Sequence, residues 1–78
     1  MSETHANYLR DLGQLVREAG QEARLSAQAA AGGDRDFERG RLMAYYEVLS
    51  LMQQQAVAFD LPLEDLALDG LDPNRDLI

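Results

Sequence analysis

Apolar residues in the first third of the chain recur with the spacing of one helix face. From Tyr8 to Gln28 three consecutive seven-residue segments, YLRDLGQ, LVREAGQ and EARLSAQ, repeat Arg at the third position and Gln at the seventh. A seven-residue period keeps the same face of a helix turned toward a neighbouring helix over several turns. The pattern predicts a helix over about residues 4–31, packed along another helix, with a turn at Gly32-Gly33.

The apolar side chains of this first helix fall in one arc when residues are placed 100° apart, and its charged side chains fall opposite. The arc contains Tyr8, Leu9, Leu12, Leu15, Val16, Ala19, Ala23, Ser26, Ala27 and Ala30. Leu25 is the exception, since it lies on the polar side. Gly13, Gly20 and Ala27 recur every seven residues. Because Gly inside a helix costs about 1 kcal/mol relative to Ala, we interpret these small residues as sites of close helix packing.

The second helix, over about residues 35–59, is apolar around more of its circumference. One stripe follows the alternating three- and four-residue spacing of a helix seam: Leu42, Tyr45, Leu49, Met52, Ala56 and Phe59. A second stripe lies beside it: Phe37, Ala44, Val48, Leu51 and Ala58. One partner helix cannot cover both stripes, so a further contact surface is expected. We predict a subunit interface formed by Ala44, Tyr45, Val48, Leu51 and Met52.

Side-chain sizes favour an antiparallel hairpin. The first helix is bulky near its start and small near its end, whereas the second begins with bulky residues and acquires small ones later. Reversal of the chain at Gly32-Gly33 therefore places large side chains against small ones, as close packing requires.

The C-terminal segment, residues 60–78, combines turn residues with leucines. Pro62 followed by two acidic residues predicts a short helix over about 62–68, and the DPNR sequence at 72–75 has the residues of a type I turn. The segment contains seven large apolar residues, Leu61, Leu63, Leu66, Leu68, Leu71, Leu77 and Ile78. This apolar content is too high for a disordered segment. We expect the tail, residues 69–78, to anchor onto the hairpin or onto a partner subunit.

These patterns together predict one all-α domain over residues 1–78, an antiparallel two-helix hairpin plus a short C-terminal helix and an anchored tail. A chain of 78 residues forms only a marginal core by itself. Two hairpins are therefore expected to pair as a homodimeric four-helix bundle, because a symmetric dimer is the commonest closed assembly.

The amino-acid composition excludes several classes of protein and of binding site. The absence of Cys excludes disulfide bonds and thiolate metal sites from this sequence. No apolar run is long enough to span a membrane, and the N-terminal MSETHANYL lacks the order of a signal peptide, so a cytoplasmic protein is expected. All seven basic residues are Arg, which is typical of a GC-rich bacterial genome.

The net charge of -7 is concentrated in the C-terminal segment, where six acidic residues and one Arg leave a balance of -5. This charge balance argues against nucleic-acid binding, which depends on clustered positive charge. Arg10, Arg17 and Arg24 form a line along the first helix that could follow phosphates, but Asp11 and Glu18 beside them cancel most of its field.

Catalytic and metal-binding patterns are incomplete. His5 has no companion ligand, and the DPNRD sequence at 72–76 matches only the first half of an EF-hand loop because Leu77 stands where Gly is required. With one His and no Gly-rich phosphate loop, we expect no enzyme activity, no cofactor and no metal.

The leading hypothesis is a small non-enzymatic interaction or regulatory module that acts through protein–protein contacts and binds an unidentified protein partner. The alternative is an acidic mimic of nucleic acid, or an inhibitor, that binds a basic groove through residues 60–78.

Overall fold

The computed structural model describes residues 2–78, in which all regular secondary structure is helical. Two long helices, α1 (Glu3–Ala29) and α2 (Asp34–Ala58), pack side by side as a hairpin. They are followed by a 3₁₀ helix (Leu63–Leu66) and a one-turn helix, α3 (Pro73–Asp76). The predicted all-α hairpin is confirmed.

The ends of α1 follow from its caps. The Ser2 hydroxyl accepts a hydrogen bond from the His5 backbone N–H at 3.3 Å, so the helix begins one residue earlier than expected. Its last residue is Ala29, because Ala30 is already extended, with φ -72° and ψ 145°. Gly32 then takes a left-handed φ of 64°, which glycine adopts without steric cost, and the chain reverses.

A left-handed residue also ends α2. Asp60 has φ 56°, and the Leu61 N–H donates to the Ala56 carbonyl at 2.8 Å, the long-range bond of a Schellman-type cap. Phe59, the expected last residue of the helix, is its C-cap. This cap turns the C-terminal segment back along the hairpin.

The C-terminal segment contains less helix around residue 65 than predicted and more helix after residue 72. Ala67 adopts a left-handed φ of 55°, which ends the 3₁₀ helix after Leu66. The expected type I turn at residues 72–75 is extended into a full helical turn, since the Asp76 N–H donates to the Asp72 carbonyl at 2.7 Å.

The hydrophobic core lies between one side of the hairpin and the C-terminal segment. Its buried members are Leu49 and Ala56 of α2 together with Leu66, Leu68, Leu71 and Leu77. Four of these six residues belong to the C-terminal segment, so the segment is an integral part of the fold.

The apolar arc of α1 is only partly buried in its N-terminal half, where Leu9 and Val16 pack against the core and other members are exposed. Leu15 is 56% exposed and Tyr8 is 67% exposed. The side of α1 that the fold buries most tightly carries Gly13 and Gly20, which are both buried.

Gly13 is where the C-terminal segment comes closest to α1. A Cβ atom added at Gly13 would lie 1.8 Å from the Leu66 carbonyl oxygen, a distance that no side chain tolerates. The close neighbour is thus the backbone of the 3₁₀ helix, not α2. At Gly20 a Cβ would meet side chains instead, Leu49 at 3.0 Å and Leu77 at 3.3 Å. Ala27 is half-buried near the turn of the hairpin.

Candidate interaction surfaces

Two polar side chains, one from each long helix, hold the C-terminal segment onto its own chain. The Arg17 guanidinium donates to the Ala67 carbonyl at 3.0 Å and to the Asp69 carbonyl at 2.8 Å. The Gln53 amide donates to the carbonyls of Leu68 at 3.2 Å and Leu71 at 2.8 Å. These bonds satisfy backbone acceptors where the segment has no regular helix. The tail therefore anchors on its own hairpin.

The line of arginines predicted along α1 is divided among three environments. Arg10 is exposed, whereas Arg17 is committed to the carbonyls of the C-terminal segment. Arg24 is half-buried, and its Nε atom is shielded from solvent without an acceptor among the described residues. These three arginines therefore do not form a continuous ridge that is open to phosphates.

The opposite side of the hairpin is apolar and uncovered. On α1, Gly13 and Arg17 mark the side toward the C-terminal segment, and on α2, Leu49 and Gln53 mark it. Residues three and four apart share a helix face, so the other side of each helix can be assigned from these markers. It carries Tyr8, Leu12, Leu15, Ala44, Val48, Leu51 and Ala58, all of which are exposed. We call these seven residues the apolar face.

Three of the five residues predicted for a subunit interface lie on the apolar face, namely Ala44, Val48 and Leu51. The other two are half-buried. Tyr45 is turned toward α1, since its Cβ lies 3.5 Å from a Cβ built on Gly20, and the Arg41 guanidinium lies 5.8 Å from the centre of its ring.

Met52, the fifth predicted residue, packs against the hydrophobic core. The predicted interface contains no residue of α1, although Tyr8, Leu12 and Leu15 of that helix contribute to the apolar face. The many leucines of the C-terminal segment are the sequence signal that part of α1 stays exposed, because these leucines supply most of the buried core.

An open groove runs along another side of α2, beside the C-terminal segment. Tyr46, Val57, Leu63 and Pro73 contribute to its walls. The Tyr46 hydroxyl donates to the side-chain oxygen of Asn74 at 2.7 Å, which ties α2 to α3. This contact explains why one of the two adjacent tyrosines faces the C-terminal segment.

The carboxylates of the DPNRD sequence serve the local backbone. Asp72 accepts the Asn74 N–H at 3.1 Å, and Asp76 accepts the Asp72 N–H at 2.9 Å. The hydrogen bonds from Arg75 and from the Asp72 backbone lower the pKa of Asp76 to about 2. Within residues 2–78 there is no group of three or more His, Asp or Glu side chains arranged to hold a metal ion.

The exposed acidic residues of the C-terminal segment are held on a folded surface. Asp60, Glu64, Asp69 and Asp72 are all exposed, and the ion pairs found among the described residues join Arg41 to Glu38 and Arg75 to Asp76. None of these four carboxylates forms an ion pair within residues 2–78. No helix within residues 2–78 is long and apolar enough to cross a bilayer.

In comparisons with known proteins no family model matches the chain, and neither a curated protein nor a solved structure shows significant similarity to it.

Proposed function

We propose that this protein is a small non-enzymatic interaction module that acts as a homodimer, with two hairpins paired through the apolar face as a four-helix bundle. The observation that carries the proposal is the exposure of large apolar side chains from both helices on one side, including Leu15 at 56% and Leu51 at 59%. Contiguous apolar surface of this kind marks interaction sites on folded proteins.

The spacing of the apolar face fits a helical partner. On α2 its positions 44, 48, 51 and 58, together with the polar residue Gln55, alternate by four and three residues, which is the seam spacing of helix bundles. Ala44 and Ala58 are small enough for another helix to approach closely, while Val48 and Leu51 are large enough to fill the space between helices.

Size and charge favour a second copy as that partner. The molecule measures 47 × 21 × 16 Å, so a face formed by both helices is large enough to bury about 800 Å² per subunit, the area of a standard stable interface. Acidic residues stand at its edge, since Asp11 and Glu18 lie one turn from Leu15 and Glu47 lies one turn from Leu51. Pairing through it places the two acidic C-terminal segments on the outer sides of the dimer, where their mutual repulsion is smallest.

Two leucines of α1 provide a matched test. Leu15 belongs to the apolar face, whereas Leu25 lies on the polar side of the helix and is 66% exposed. We expect sedimentation equilibrium at micromolar concentration to show a dimer for the native chain and for Leu25→Glu, and a monomer of unchanged helicity for Leu15→Glu. A native chain that sediments as a folded monomer, or equal behaviour of the two variants, would contradict the homodimer.

A second candidate function is supported by four exposed acidic residues of the C-terminal segment, Asp60, Glu64, Asp69 and Asp72. Because the C-terminal segment is docked, these carboxylates have fixed positions, as a mimic of nucleic-acid phosphates requires. An oligoarginine peptide should bind the native chain and lose affinity as salt rises. Replacement of the four residues by Asn or Gln should abolish this binding, and binding that is insensitive to both salt and replacement would exclude the mimic.

A further inference from the structure

Three arginines from different parts of the chain meet near the turn of the hairpin. Arg24 comes from α1, while Arg35 and Arg39 come from the first turns of α2. They line one pocket of about 390 Å³ together with Ala27, Gln28, Ala30, Leu42 and Ile78. The sequence alone separates Arg24 from the other two by eleven or more residues, so only the fold brings these guanidinium groups together.

The charged side chains that line this pocket are all arginines. No Asp or Glu side chain of the described chain lines the pocket. Outside the lining, Asp34 and Asp36 flank Arg35 in the first turn of α2. Asp76 pairs with Arg75 at 2.8 Å and is also close enough to Arg24 for the two charges to attract. An anion bound between the arginines would reduce the repulsion between their like charges.

Arg24 adds an independent observation. Its Nε atom is buried from solvent and donates to no acceptor among residues 2–78. A buried donor without a partner is uncommon in folded proteins and points to an interaction that the free chain does not satisfy. Arg24 lines the same pocket as Arg35 and Arg39.

We propose that this pocket binds the phosphate group of a small organic phosphate. Guanidinium groups present parallel N–H donors that match phosphate oxygens, and three of them suit a doubly charged group better than a carboxylate. The apolar part of the wall, Ala27, Ala30, Leu42 and Ile78, would contact the organic part of the ligand. This site is independent of the dimer, because none of its residues belongs to the apolar face.

The test is a titration of the ¹⁵N-labelled full chain with inorganic phosphate, phenyl phosphate and benzoate at constant ionic strength. We expect saturable NMR shifts of the amides around residues 24–42 and of the arginine Nε–H groups. Phenyl phosphate should bind more tightly than inorganic phosphate, because it also contacts the apolar wall. Shifts that grow linearly without saturation, or benzoate binding as tight as that of phenyl phosphate, would overturn the proposal.

Variants separate the pocket from general electrostatic attraction. Arg39→Gln and Arg35→Gln should each weaken phenyl phosphate binding at least about tenfold, since each removes charge-assisted hydrogen bonds. Arg10→Gln removes the same charge from an exposed position outside the pocket and should leave the affinity unchanged. Circular dichroism establishes that each variant is folded. If all three variants weaken binding equally, the arginine pocket is not the site.

Discussion

The two sides of the hairpin are both apolar, yet they have opposite environments. On the side of the C-terminal segment, Leu49 is completely buried, as are Leu68 and Leu77 from the segment itself. On the apolar face, Leu51 stands only two residues from Leu49 in sequence and is 59% exposed.

The two sides differ in burial because a segment of the same chain covers only one of them. The C-terminal segment is part of the same chain, and the caps at the end of α2 direct it onto one side only. Hydrophobic content alone therefore does not decide which surface is buried. A second apolar surface on the same helices remains available to a partner.

The largest expected loss of stability comes from truncating Leu49, and truncation of Leu51 on the opposite side is its control. Leu49→Ala should lower the free energy of unfolding by about 3 kcal/mol, because it leaves a cavity in the core. Leu51→Ala should cost less than about 1 kcal/mol at concentrations where the chain is monomeric. Urea denaturation at low and high protein concentration checks both, and the cost of Leu51→Ala should rise with concentration if the apolar face is a dimer interface. Equal costs at low concentration would contradict the comparison.

Glycine substitutions test how closely the C-terminal segment approaches α1. Gly13→Ala should destabilise the fold by about 2 to 3 kcal/mol, because the new Cβ collides with the backbone of Leu66. Gly40→Ala is the matched control, since a Cβ there meets nothing within 4 Å and should stabilise α2 by about 1 kcal/mol. Thermal unfolding measures both. A Gly13→Ala variant as stable as the native chain would show that the segment does not pack there.

Arg17→Gln should release the C-terminal segment without affecting the apolar face. Loss of the bonds to the Ala67 and Asp69 carbonyls is expected to cost about 1 to 2 kcal/mol. Hydrogen exchange of residues 66–71 should accelerate, because the local opening of the segment becomes easier. Arg10→Gln, the exposed arginine one heptad earlier, should leave this exchange unchanged. Acceleration in both variants would indicate a general effect of charge.

The smallest effect concerns the last turn of the segment and depends on pH. The hydrogen bond from Arg75 is the main cause that lowers the pKa of Asp76 from 3.8 to about 2. A lowered pKa in the folded state stabilises it above the ordinary pKa, and this stabilisation is lost as the pH falls from about 4 toward 2. The melting temperature of Asp76→Asn should therefore lie slightly below that of the native chain at neutral pH and converge with it in acid. A constant difference across this range would contradict the role of Asp76.

The long helices were predictable because their signals are local. Apolar spacing, a capping Ser near the N-terminus and glycines at the turn all act within a few residues, so α1 and α2 lie close to their predicted limits. The left-handed conformations of Asp60 and Ala67 were not predictable, because neither residue type requires them.

The apolar face shows which part of the candidate site could be predicted from the sequence and which part could not. Ala44, Val48 and Leu51 could be identified because α2 carries more apolar surface than one helix covers. The part contributed by α1 depends on which side the C-terminal segment occupies, and periodicity contains no information on that choice. The arginine pocket likewise requires residues distant in sequence to meet.

The sequence by itself determined two amphipathic helices, the place where the chain reverses and the location of excess negative charge, because each depends on neighbouring residues. Only the tertiary structure decided that the C-terminal leucines supply most of the core and that Gly13 accommodates a backbone carbonyl. It also decided that Arg17 holds the C-terminal segment while Arg24 faces a pocket. These outcomes depend on contacts between residues far apart in the chain, where small differences in packing select one arrangement from several that satisfy the same hydrophobic pattern.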